Sequence, residues 1–560
     1  ISDLPDSYYW ELPKLAGDDP LAGQPRIYAL VRAFLHFDDA QFDPARLARF
    51  AGAYQEIQPL TMGELWALPI MLRVALLESI AQAASRILDL ADGAPALGFV
   101  PYAYRIADGD VVAHAVHALR VIDSQDWPTF FETVSLVHQS LSQDPSGLYL
   151  HMDFATRNQY RAVVETLAKG SASSEIEISE LAVEQARSAY WLQPTQALPE
   201  RSDPPVELAA DPWAGLDWPR ECHVGYHLLD DGRQRLEAHI RFRSTLALWL
   251  QRWFMAQGTP LYLGSIALLT VAGLVAIMLF TWWAGNSVGL TLLAALLTIV
   301  PGLTLVVDLV NQVAMRFVPP RILPKLDCEE GIPSSRRTMV VIPTLITHPG
   351  DVKSLFAQLE QQYLRNPDPN QQLTFALLSD FADAPSAVQS EDDELIALAR
   401  QQLEVLNTRY PHQPFYFFHR RRLWNQSEKT WMGWERKRGK LHEFNRLLRG
   451  DQQTSYAVQL GDLTILPAVR FVITLDADTI LPRGAAQRLV GCLAHPLNQA
   501  QFDPQTERVI AGYTVVQPRT AIKPTSANRS LFTRVFGGAV GIDLYTLAVS
   551  DVYQDLFGAG

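Results

Sequence analysis

Residues 470–480 read RFVITLDADTI, a mostly apolar, β-rich run that ends on two carboxylates, Asp476 and Asp478, two positions apart. A short apolar run bounded by polar residues reads as a buried strand. Working outward, residues 338–344 (TMVVIPT), 373–379 (LTFALLS), 415–419 and 508–517 read the same way. Helical stretches at 351–363, 392–409, 437–448 and 483–494 alternate with them. Strands alternating with helices predict an α/β domain with a largely parallel, Rossmann-like sheet from about Val318 onward. Ligands in such sheets bind at the carboxyl ends of the strands. The polar residues there are Asp380 and Asp383 after the second run, and Asp476 and Asp478 after RFVITL. Two carboxylates so placed suit one hard cation, Mg²⁺ or Mn²⁺, which can neutralise a diphosphate. The plainer assignment for the pair is a helix cap with a solvated neighbour.

A basic tract precedes the acidic pair. Residues 419–449 read HRRRLWNQSEKTWMGWERKRGKLHEFNRLLR, with ten Lys and Arg against Glu428, Glu435 and Glu443. The whole chain is acidic, with 47 Lys and Arg against 60 Asp and Glu, so this concentration of cations is local. Lys440, after Gly439, is expected to begin a helix aimed at a pocket, where cations and a helix N-terminus both favour phosphate oxygens. A surface basic face, or a contact with anionic lipid, accounts for the same residues without a pocket.

The apolar fraction, 48%, supports full cores and excludes wholesale disorder. A net charge of −13 argues against a general nucleic-acid partner. The 3 cysteines form no CxxC, which excludes a disulfide scaffold and a zinc ribbon. No secretory leader is expected after Ile1. The 55 positions from 253 to 307 carry no charge, enough for two bilayer spans and a turn. We place them at 262–283 and 288–309, with a kink or local break at Pro301-Gly302 and Trp282 and Trp283 at the interface. Basic residues flank both ends, so both flanks are expected in the cytoplasm. Residues 62–90, 111–141, 160–168 and 233–250 predict a helical N-terminal region. Cys222, His223 and His227 have ligand chemistry but lack a clear fourth partner, so packing and hydrogen bonding are expected of them.

The quartet VVIPT, LLSDFAD, KRGKLHEFN and LDADT resembles the donor half of a nucleotide-sugar transferase with the GT-A fold. The longer strings WMGWERKRGKLHEFNRLLRG, LTMGELWALPIMLR, DPSGLYLHMDFATRNQYR and GIDLYTLAVSDVYQDLFGAG resemble bacterial cyclic β-1,2-glucan synthase, glycosyltransferase family 84. That resemblance covers essentially the whole chain. It implies UDP-glucose as donor, a divalent cation, Mg²⁺ or Mn²⁺, and inverting transfer that builds β-1,2-glucan at the bacterial inner membrane. Carried over by motif, Asp380 would contact the uridine and Lys440 the nucleotide or its diphosphate. Asp476 would contact the sugar or ribose side, Asp478 the metal, and Gln517 would line the donor-site floor. Such synthases are thought to start on a tyrosine. Tyr545 and Tyr553 lie in the family-like string, and Tyr553 is the candidate for glucosylation.

The expected organisation is a helical region at 1–255, a transmembrane hairpin at 256–312 and the donor half of a GT-A-like domain at 318–560. The N-terminal region and the transferase domain are both expected on the cytoplasmic side. The expected partners are UDP-glucose, the growing β-1,2-glucan and the lipid bilayer, with no nucleic acid. Inverting transfer needs a general base. The resemblance puts that carboxylate beyond Gly560, so this stretch reads as part of a larger synthase that binds donor without transferring glucose alone. Two other functions fit the Asp motifs: another processive membrane polysaccharide synthase, or a non-catalytic membrane scaffold that binds sugar nucleotides.

Overall fold

A computed structural model describes residues 6–17, 21–89, 104–192, 213, 216, 218–318, 321–518, 528–536 and 556. The chain divides into two compact units, Ile1–Phe242 and Arg243–Gly560.

The first unit is helical, and its helix starts are written in local chemistry. Asp43 caps the helix Pro44–Gln55 by accepting the Ala45 and Arg46 amides, with proline at the first turn. Thr61 and Glu64 form a capping box on the helix Met62–Ile87. This helix passes through Pro69 unbroken, and its Leu68, Leu72, Ala75 and Leu76 are fully buried. It packs against Arg26–Phe37 and Asp108–Ser124. Its buried charges are paired, as burial demands: Arg26 Nε lies 2.8 Å from Glu64 Oε1, and the Tyr28 hydroxyl donates to Glu78. Beyond Ser124 the chain forms two short helices, Trp127–Val134 and Leu136–Leu141, where the periodicity predicted a continuation. Asp126 and Ser135 are the caps that restart them.

A hollow of about 530 Å³ in this unit is lined by Leu12, Pro59, Lys169 and Glu175, among others. Burial, offset by the Met62 amide that Glu175 accepts, raises the Glu175 carboxyl from 4.5 to about 7. The folded state therefore holds a proton that the unfolded chain releases. The associated stability is complete below about pH 4.5 and is lost as pH rises through about 7, roughly 3 kcal/mol in all. Urea unfolding of the helical unit should show this decline between pH 5 and pH 8, and Glu175→Gln should flatten it.

The second unit starts with three helices. The helix expected at 233–250 stops at His239, because Arg241 takes a left-handed φ of 52°, and Thr245 caps a new helix, Leu246–Ala256. Next come Gly258–Trp283 and Val288–Phe317, which lie against each other. Their connection holds Gly285 at φ 79°, and Ser287 caps the second helix. Tyr262 Oη donates to Asn311 Oδ1 at 2.7 Å across the pair. Both helices extend past the expected ends, and the second runs through Pro301 without a break. Among the described residues, three helices are long and apolar enough to cross a membrane: Met62–Ile87, half of it buried in the helical unit, and these two, almost wholly exposed.

The sheet follows. Its strands are β1 (Thr338–Ile346), β2 (Leu373–Phe381), β3 (Phe415–Arg420), β6 (Tyr456–Leu460) and β7 (Phe471–Thr474), in the order β6-β3-β2-β1-β7. The pairs β1–β2, β1–β7 and β2–β3 are parallel, and β6 is antiparallel to β3. Every residue of β2 is buried, which its unbroken apolar run foretold. Helices Pro349–Arg365, Asp392–Arg409 and Arg436–Leu448 contact the sheet. A small hairpin, β4 (Leu423–Asn425) with β5 (Thr430–Met432), interrupts the basic tract. The strand expected at 508–517 is only Val509–Ala511, paired with Gln501–Phe502 in a separate ribbon. Gly512 ends it at φ 71°, where a Cβ would lie 2.0 Å from the Gln499 carbonyl oxygen.

Candidate functional site

Strand order reverses at β1, which lies between β2 and β7. A crevice therefore opens at the carboxyl ends of these strands. It holds a cavity of about 330 Å³. Its walls are Thr344 and Leu345 from β1, Asp380 and Phe381 from β2, the segment around Gly433–Lys440, and Ala477 from the turn after β7.

The floor is a buried ion cluster. Arg420, at the end of β3, meets Asp380 bidentately, with Nε–Oδ1 2.7 Å and Nη2–Oδ2 2.8 Å. Lys440 Nζ lies 3.1 Å from the same carboxylate and donates to the Thr344 carbonyl. Burial lowers the Lys440 pKa, and Asp380 opposes that fall. Arg420 also donates to the carbonyls of Trp434 and Arg436, both at 3.0 Å. It thereby ties the segment 433–437 down onto β2. Glu435 and Arg436 are both left-handed, with φ 51° and 47°, and this turn delivers the helix Arg436–Leu448 to the cavity. His419 shares a 2.8 Å hydrogen bond with Ser379, and burial lowers its pKa to about 3, so it stays neutral.

Two glycines permit the close approach. A Cβ on Gly433 would lie 2.7 Å from the Asp380 carboxyl carbon, and one on Gly439 would lie 2.0 Å from the Trp434 carbonyl oxygen. Gly439→Ala should therefore destabilise the fold by about 1–3 kcal/mol. Hydrogen exchange should show the loosening concentrated in the 433–440 amides.

The rim carries opposed charges. Arg436 Nη2 lies 2.8 Å from Asp383 Oδ2, and the Lys437 ammonium sits on Asp476. Asp476 and Asp478 are both exposed on the turn after β7. Glutamines of the helix Pro349–Arg365 grip this turn by its main chain. Gln358 donates to the Ala477 carbonyl, and Gln362 donates to Thr479 O at 2.8 Å and accepts the Leu481 amide at 3.1 Å. Carboxylate oxygens are the donor type that suits a hard cation, and in this structure the Asp476 carboxylate is paired with the Lys437 ammonium. Among the described residues, no group of three or more His, Cys, Asp or Glu is arranged to hold a metal ion. A bound cation would thus draw further oxygens from its ligand.

Of the residues singled out in the sequence, Asp380 and Lys440 meet in the cavity. Asp476 reaches its rim through Lys437. Asp478 and Gln517 are exposed and lie outside the cavity lining. Tyr545 and Tyr553 lie outside the described residues. Sequence reasoning missed Arg420, Arg436 and Lys437 as individuals. The signal that could have found Arg420 is the unbroken apolar run FYFF just before it, which extends a buried strand one residue past the expected 415–419, and a buried arginine requires a carboxylate partner. In the helical unit, His223 Nδ1 pairs with Asp144 Oδ2 at 2.8 Å and its Nε2 with Tyr160 Oη at 2.9 Å, while His227 Nε2 meets the Glu221 carbonyl. These histidines serve buried hydrogen bonding, as expected.

No family model matches the chain. Over 100% of its length the chain is 31% identical to the cyclic beta-(1,2)-glucan synthase NdvB of Rhizobium meliloti (strain 1021), and it spans 21% of that protein's length.

Proposed function

We propose that this cyclic glucan synthase-like chain holds the donor of a membrane glucosyltransferase that builds β-1,2-glucan. The donor is UDP-glucose. The single observation that carries the reading is the crevice beside β1. It brings a buried carboxylate, three cations (Arg436, Lys437 and Lys440) and an Asp-x-Asp turn to one cavity.

In this reading Asp380, fixed by Arg420, orients the uridine, and Lys440 meets the nucleotide or its diphosphate. Lys437 and Arg436 exchange their carboxylate partners for phosphate oxygens as the donor enters. Asp476 then faces the sugar or ribose, and Asp478 would hold the divalent cation, Mg²⁺ or Mn²⁺. When bound, the cation supplies charge neutralisation of the departing diphosphate. Transfer is inverting. An acceptor hydroxyl oxygen bonds to the glucose C1, the C1–O bond to UDP breaks, and the hydroxyl proton passes to a general base.

The two exposed apolar helices support a bilayer as the host. Arg241, Arg243, Arg252 and Arg316 support a cytoplasmic position for the flanks of the pair, at the inner membrane.

Calorimetry with UDP-glucose on the detergent-purified chain tests the reading, with Mn²⁺ and with chelator, alongside UDP-galactose and GDP-mannose. Metal-dependent binding selective for UDP-glucose is the expected result. Absence of binding by a folded sample, or equal binding of all three nucleotides, overturns it.

A further inference from the structure

The helix Leu246–Ala256 has no buried residue. One flank is nevertheless committed. Phe254 packs against the cluster of Tyr262, Val310, Ala314 and Val318, with its ring 6.5 Å from that of Phe317. Leu246, Trp249, Leu250 and Trp253 fall on a neighbouring stripe about 100° wide. They are 73%, 52%, 48% and 47% exposed. Two tryptophans and two leucines in one solvent-facing stripe are unfavourable in water.

The place of this helix in the fold says what covers the stripe. Phe254 docks at the end of the apolar pair where Tyr262 and Phe317 lie, and the connection 284–287 with exposed Trp282 and Trp283 is at the other end. From Tyr262 to Trp283 the helix rises about 32 Å, close to the ~30 Å of a hydrocarbon core. The helix Leu246–Ala256 thus sits at the level of the lipid headgroups. Arg241, Arg243 and Arg252 accompany it, and no acidic residue occurs from 238 to 307. Tryptophan and leucine on one face with arginine beside them is the composition of an interfacial helix.

We propose that the helix Leu246–Ala256 lies in the plane of the inner leaflet. Its stripe enters the acyl boundary and its arginines meet anionic headgroups. This rests on the membrane reading above but is separable from it. The anchor ties the turn at Arg241–Thr245 to the bilayer surface.

Spin labels test this in the full chain reconstituted in phosphatidylcholine vesicles containing phosphatidylglycerol. Leu246→Cys and Leu250→Cys carry the probes, and the native cysteines are buried. Leu279→Cys, on an exposed position of the apolar pair, is the control. Accessibility to oxygen and to a water-soluble nickel chelate reads depth. The expected result is lipid exposure at 246 and 250, about 5–10 Å below the headgroups, and deeper exposure at 279. Replacing the phosphatidylglycerol with phosphatidylcholine should lift the two probes towards water. Labels at 246 and 250 reached by the chelate while 279 reads lipid would sink the anchor alone. Labels shielded from both reagents would assign the stripe to a protein partner and also overturn it. A chelate-accessible label at 279 would overturn the membrane reading and the anchor together.

Discussion

Arg420→Met should destabilise the sheet-containing unit by about 3–5 kcal/mol, the cost of leaving a buried charge without its partner. The loss has two sources. Asp380, almost fully buried, keeps only Lys440 as a cation among the described residues, and the carbonyls of Trp434 and Arg436 each lose a donor. Adding Asp380→Leu to Arg420→Met should cost more than Arg420→Met alone, because Lys440 is then left buried without its carboxylate. Thermal unfolding measures the loss. Hydrogen exchange should place it in β2, β3 and the segment 433–437. Equal destabilisation by the single and double variants would show that the guanidinium matters for volume rather than charge.

Asp478→Ala should abolish metal-dependent UDP-glucose binding while leaving the fold intact. A cation on a diphosphate contributes several kcal/mol, so the affinity should fall by about two orders of magnitude or more. Asp478 is exposed, and its turn is held through main-chain atoms, so unfolding is not the cause to expect. Lys437→Ala supplies the contrast. Removing the ammonium from Asp476 should strengthen Mn²⁺ binding in the absence of nucleotide and weaken binding of UDP. Calorimetry with Mn²⁺ alone and with UDP reads both signs. Unchanged donor affinity in Asp478→Ala would remove the metal role from that residue.

The elements that carried strong local signals were legible. Strands β1, β2, β3 and β7 and their helices lie within a few residues of the expected bounds, since long apolar runs have one comfortable place in an α/β fold. Strand β6 was not legible. Its sequence YAVQL is only partly buried and sits at a sheet edge, so its pairing with β3 comes from tertiary contact. The extended ribbon expected at 508–517 failed at Gly512, whose backbone conformation overrides the surrounding β-formers. The site divides the same way. Its acidic residues stood at strand ends and were visible there, whereas the link from Asp380 to Arg420 crosses 40 residues and depends on strand order. The basic tract pointed to Lys440 but gave no sign that Arg420 is buried as well.

The turn after β7 is anchored by Gln358 and Gln362 through the carbonyls of Ala477 and Thr479 and the amide of Leu481. No side chain of the turn takes part in those contacts, so this anchoring does not depend on what the turn displays. Asp476 and Asp478 therefore sit on a chemically interchangeable platform. The carboxylates there can be lengthened or exchanged for amides without remaking the loop. Libraries at positions 476 and 478 would then sample donor chemistry directly, with little of the diversity wasted on misfolded members. The two glutamines behind the turn are the positions to leave alone.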